Sequence, residues 1–159
     1  MEKEAIQAYS TRITQANRSE LVVITYEIIL DEVRCVEQAL AGEDQEGFRT
    51  GLKKARQFLN ELMASLDYQY EISADLMSLY IYTDKQLVAA ISEKAAEPLK
   101  PVVMVLEKLL TGFREAGKQD TSQPLMLNTQ KLYAGLTYGK GHLNETFVSV
   151  NEASRGFKA

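Results

Sequence analysis

NRSELVVITYEIILDEVRCVEQALAG, residues 17 to 42, separates an all-α chain from one that contains a sheet. The run from Val22 to Thr25 is β-branched and would suit a strand. Roughly twenty residues then pass without a glycine or proline, which favours a helix over a strand. The ends agree. Asn17 is a strong N-cap, and Glu20 three residues later completes a capping box. Gly42 fits the residue that follows a helix C-terminus. The first half, LVVITYEIIL, is apolar on almost every face, so this helix is expected to be central and covered from several sides.

The neighbouring stretches repeat the helical rhythm. From about Asp44 to Leu66, apolar residues recur through Phe48, Leu52, Ala55, Leu59, Leu62 and Leu66, with Lys53, Lys54, Arg56 and Glu61 on the outer side. Acidic Glu43, Asp44 and Glu46 suit the positive end of that helix's dipole. A third helix is expected from about Glu71 to Glu93, after a turn at Asp67 to Tyr70. Pro98 marks the entry to a fourth, since proline fits a first turn and breaks an interior. Its stripe runs through Leu99, Val102, Val103, Leu106, Leu109, Leu110 and Phe113, and Gly117 closes it.

Four helices of about 30 Å each, joined by short loops, specify an all-α, antiparallel up-down four-helix bundle over residues 17–117. Residues 1–16 are polar apart from isolated hydrophobes, a pattern typical of a frayed leader. Ile6 and Tyr9 are spaced to let a short helical turn dock on an apolar groove. Residues 118–159 form a C-terminal extension. There KLYAGLTY, GKG and HLNETFVSV read either as a β-hairpin or as an unpacked tail.

The third helix carries the least settled surface. Ser65 to Ile91 holds four of the eight tyrosines, Tyr68, Tyr70, Tyr80 and Tyr82. LYIY, Leu79 to Tyr82, covers nearly the whole helix circumference. Neighbours therefore cover it on both sides, or one side stays open for a partner.

Composition narrows the chemistry. The 159 residues suffice for one domain with a full core, and the net charge of −4 argues against a nucleic-acid surface. The single cysteine, Cys35, sits in a helical run with no neighbouring histidine and reads as a buried inert thiol. The N-terminus lacks a hydrophobic signal core, and no apolar run reaches the length of a membrane span, so a cytoplasmic protein is expected without membrane insertion. The only histidine, His142, has no Glu-x-x-His partners for a dimetal site, and it lies beyond the fourth helix, unlike a phosphotransfer histidine. GKG lacks the spacing of a phosphate loop. The expectation is a non-enzyme with no cofactor and no metal.

At this point the residues match a known family. ANRSELVVITYEIILDEV, Ala16 to Val33, resembles the opening of the FliS family of flagellar secretion chaperones, and Gly42 matches the end of that family's first helix. SLDY, Ser65 to Tyr68, resembles its Ser-Leu-Asp-aromatic turn. LYIY resembles its Leu-Tyr-x-Tyr/Phe segment, and the leader with Tyr9 also matches. The resemblance covers about residues 5 to 117. The Asp-Gly that follows the first-helix tyrosine in the family is Glu27-Ile28 here, and the tryptophan near the end of the fourth helix is absent. The resemblance implies a chaperone that binds the C-terminal segment of flagellin, prevents premature polymerisation and presents its client to the flagellar export apparatus. On that reading Tyr26, Leu66, Tyr68, Leu79, Tyr80 and Tyr82 contribute to the client groove, and Ile6 and Tyr9 act as its lid. The rival reading is a regulatory or structural bundle that homodimerises through the aromatic face.

Overall fold

The computed structural model describes residues 3–126. The hairpin reading of the extension falls on residues outside that range. Within it the chain forms five helices: α1 (Lys3–Gln15), α2 (Arg18–Ala41), α3 (Gln45–Ala64), α4 (Ile72–Glu93) and α5 (Leu99–Gly117). There is no strand among the described residues.

Local chemistry sets the boundaries close to where the sequence predicts them, although of the expected capping box only the Asn17 half forms among the described residues. Asn17 has extended backbone, and its Oδ1 accepts from the Glu20 N–H at 2.9 Å. The N–H of Gly42 donates to the carbonyl of Gln38. Asp44 is the cap of α3 rather than its first residue, accepting from the Gly47 N–H at 2.9 Å. The Ser73 hydroxyl donates to the Asp67 carbonyl at 2.6 Å, which ties the first turn of α4 to the preceding turn. Buried Pro98 precedes α5.

Helices α2 to α5 form the antiparallel bundle. α2 packs on α3 and α5, and α4 closes the ring against the same two helices. One apolar core runs through all four, from Tyr26, Ile29 and Val33 to Leu52, Leu59, Leu87 and Leu106. α1 is the element the sequence understated. It is a helix of 13 residues, not a single turn, and it lies on the outer face of α2. Leu21, Ile24 and Ile28 of α2 are thereby covered, which is why LVVITYEIIL is apolar all round.

α2 and α3 approach closely at Gly51. A Cβ built there would stand 2.5 Å from Val36 Cγ2. Beside it Glu32 is buried at 2% exposure, with Lys54 Nζ 3.8 Å from its Oε1. Cys35 is half-buried rather than enclosed.

Candidate protein-binding surface

The tyrosine-rich stretch divides between core and solvent. Tyr26 and Tyr80 are closed off, at 0% and 1% exposure, and their hydroxyls hydrogen-bond across the bundle from α2 to α4. The Tyr26 ring lies 5.5 Å from Phe113 and 6.3 Å from Tyr80, both tilted contacts. Burial, reinforced by the shared hydrogen bond, pushes the Tyr26 hydroxyl pKa far up, so the pair stays neutral. Of the residues expected to contribute to a client groove, Tyr26 and Tyr80 are therefore enclosed: in the closed bundle neither side chain reaches solvent. The reason is ordinary amphipathicity, since Leu76, Tyr80, Thr83 and Leu87 follow one face of α4 inward. Leu66 is half-buried against the same core.

Tyr68, Leu79 and Tyr82 are exposed, together with Tyr70, Ile72, Ile81 and Val88. Three residues of LYIY thus face outward, but not on one line. At about 100° per residue, Leu79 and Tyr82 share one border of α4, which also carries Ile72 one heptad earlier. Ile81 and Val88 share the other border, the one facing α3, because Asp84 between them takes a two-pronged hydrogen bond from Arg56 of α3 at 2.7 and 3.1 Å. The apolar surface of α4 is therefore two edges flanking a buried tyrosine. Tyr68, Tyr70 and Ile72, each at least 60% exposed, join it at the α3–α4 turn.

The expected lid residues lie elsewhere. Tyr9 is half-buried on α2, its hydroxyl donating to Asp31 Oδ2 at 2.6 Å, and Ile6 is exposed. Tyr9, Ile13 and Ala16 pack with Ile24, Ile28 and Phe58 as a second, smaller apolar cluster. α1 shares no packed interface with α4, so Tyr9 and Ile6 do not cover Tyr68, Leu79 or Tyr82. The spacing of Ile6, Tyr9, Ile13 and Ala16 already fits one helical stripe, a signal that marks α1 as an amphipathic helix. Ile28, which stands where the family pattern has glycine, is part of the seat under α1.

A polar clamp reinforces that seat. Glu27 accepts from Arg12 of α1 at 2.5 Å and from Arg114 of α5 at 2.7 Å. The Arg12 guanidinium also sits 5.8 Å from the centre of the Tyr9 ring. These residues, with Asp31, Arg34 and Glu107, line an open cleft of about 610 Å³ between α1, α2 and α5. Partial burial raises the Glu27 pKa, but the hydrogen bonds from Arg12 and Arg114 outweigh it, and the net shift is downward. A depressed folded pKa means the clamp's contribution is complete above the ordinary glutamate value and drains as pH falls through the lower, folded one. Acidification from neutral pH is therefore expected to leave α1 docked until the pH drops below about 4.5, the usual carboxyl value. NMR shifts of α1 amides followed against pH check this, and Glu27→Gln will remove the clamp's acid-dependent step.

Among the described residues no group of three or more His, Cys, Asp or Glu side chains is placed to hold a metal ion. No described helix is long and apolar enough to cross a membrane. His142 lies outside the described residues.

Fold and surface together define a helical bundle with open apolar edges on one helix, covered on another side by its own N-terminal helix. The chain belongs to the FliS family. The family described as "Flagellar protein FliS" matches residues 1–120. The chain is also similar to the flagellar secretion chaperone FliS of Bacillus subtilis (strain 168), with 31% identity over 107 residues that span 67% of this chain and 77% of that one.

Proposed function

We propose that the chain is a cytoplasmic export chaperone that binds the disordered C-terminal segment of flagellin. It thereby prevents premature polymerisation and presents the client to the flagellar type III export apparatus. Family membership and the function named for the Bacillus relative support this reading. The single observation that carries it is the open apolar surface on α4 and the turn before it, with Tyr68, Leu79 and Tyr82 exposed while the four-helix core is complete without them.

The chemistry suits such a client. A disordered amphipathic segment gives up conformational freedom on binding and needs a long apolar surface with aromatic anchors to offset that cost. Tyrosine buries a large area yet tolerates water when the surface is empty. In this reading Tyr68, Leu79 and Tyr82 meet the client directly. Tyr26, Leu66 and Tyr80 hold the face from behind. α1, with Ile6 and Tyr9, is a lid over a separate apolar strip, Leu21, Ile24, Ile28 and Phe58, which a client long enough to wrap the bundle would enter once α1 lifts.

The same edges on α4 would serve a homodimer, which is the competing reading. Co-expression with flagellin followed by light scattering of the purified material separates the two. The expected result is a one-to-one complex with flagellin and a monomeric free protein. A tight dimer that leaves flagellin behind would refute the chaperone reading in favour of the rival.

A further inference from the structure

We propose that the acidic, aromatic end of the bundle, Asp67 to Asp75, is a docking surface for this chain's own residues 127–144. The surface is unusual in charge. No lysine, arginine or histidine occurs between Arg56 and Lys85. Asp67, Glu71 and Asp75 alternate there with the exposed Tyr68, Tyr70 and Ile72. None of the three acids forms an ion pair among the described residues. Apolar side chains beside carboxylates that form no ion pair among the described residues, Asp67 accepting from the Gln69 N–H, suit an aromatic, basic peptide.

The chain supplies one. Residues 127–144, LNTQKLYAGLTYGKGHLN, contain no acid. They carry Lys131 and Lys140 around Leu132, Tyr133, Leu136 and Tyr138. The whole molecule is acidic at net −4, so this basic run stands out within it.

The exit point brings the two together. After α5 the chain is pinned around the start of α2. Asn17 Nδ2 donates to the Asp120 carbonyl at 3.3 Å, and the Ser19 hydroxyl donates to Asp120 Oδ2 at 2.5 Å. Hydrogen bonds from Ser122 and Ser19 hold the Asp120 carboxyl down at about 2. The Leu125 N–H then donates to the Ala16 carbonyl at 3.1 Å. Leu125 thereby enters a cleft of about 300 Å³ between α2 and α3, shared with Leu21, Leu62 and Ser65. Ser65 is three residues from Tyr68, so the segment begins beside the surface it is proposed to cover. Eighteen residues reach roughly 60 Å when extended, ample for the α3–α4 turn. The family match ends at residue 120, before the segment begins.

This docking stands apart from the client reading, although a client bound at Tyr68 would have to displace it. The test is zero-length carbodiimide cross-linking of the full chain, using an equal mixture of ¹⁴N- and ¹⁵N-labelled protein with peptide mass mapping. The expected products join Lys131 or Lys140 to Asp67, Glu71 or Asp75 within single-isotope chains. They should exceed links to Glu43, Asp44 and Glu46 at the opposite end of the bundle by about fivefold or more. In the full chain carrying Lys131→Glu and Lys140→Glu, amide exchange over residues 67–75 should rise about tenfold while the helical circular dichroism is kept. Links spread evenly over both ends overturn the proposal, as does unchanged exchange in the double variant. Links that mix isotopes in about half the pairs overturn it too, since the occupant is then a second copy.

Discussion

Tyr26→Ala will lower the unfolding free energy by about 3–5 kcal/mol, the range for removing a fully enclosed aromatic side chain. Tyr26 has no exposure, and its ring touches both Phe113 and Tyr80. Tyr26→Phe separates the hydrogen bond from the packing. It leaves the ring in place but strands the buried Tyr80 hydroxyl, at a cost of about 1–3 kcal/mol. Adding Tyr80→Phe removes the stranded group, so the double variant should be no less stable than the sum of the singles and is expected to recover part of the loss. Urea denaturation of the four proteins gives the coupling directly. Strict additivity would mean the two hydroxyls do not act as a pair.

Gly51→Leu will cost about 3 kcal/mol, the upper part of the range for overpacking a filled core. Replacing glycine inside a helix ordinarily gains up to about 1 kcal/mol from backbone propensity. Here the first added carbon already meets Val36 Cγ2 at 2.5 Å, so α2 and α3 have to move apart. That movement would disturb the setting of buried Glu32, whose nearest partner is Lys54 of α3 at 3.8 Å. Val36→Ala clears the obstructing methyl groups. The double variant Gly51→Leu with Val36→Ala is expected to lose clearly less than the sum of its parts. A Gly51→Leu protein as stable as the parent would mean that the α2–α3 approach is not fixed at this contact.

The helices and their caps were legible because they rest on local chemistry. Asn17, Glu20 and Gly42 act within a few residues of themselves, and the apolar rhythm of α3 and α5 is strong enough to place each stripe. The FliS resemblance rested on the same local runs. What the sequence left open was set by contacts between distant residues. The LYIY run is apolar on every side, so the face of Leu76, Thr83 and Leu87 that takes Tyr80 inward stands out only once Tyr26 of α2 is seen against it. Glu27 reads as one charge among many. Its meaning comes from Arg12, 15 residues before it, and Arg114, 87 residues after it. Gly51 reads as a mild helix defect until α2 is seen lying against it. In α1 the stripe through Ile6, Tyr9 and Ile13, continued by Ala16 just past its end, was present, but the polar residues around it made the segment look like a frayed end.

Packing also divides the aromatic stretch. A tyrosine that faces the core cannot also greet a client, so Tyr80 fixes α4 in rotation and leaves Leu79 and Tyr82 on one edge and Ile81 on the other. Binding and stability should therefore separate by residue. Substitutions at Tyr26 and Tyr80 act on folding, and substitutions at Leu79 and Tyr82 act on affinity.

Calorimetric titration of a flagellin C-terminal peptide into the wild-type full chain, and into the variant carrying Leu79→Asp with Tyr82→Ala, tests that claim most directly. Two exposed anchors lost from an aromatic binding surface are expected to weaken binding more than tenfold, with helical content and unfolding midpoint little changed. Equal affinity of the two folded proteins for the peptide would contradict the assignment of the client surface to α4.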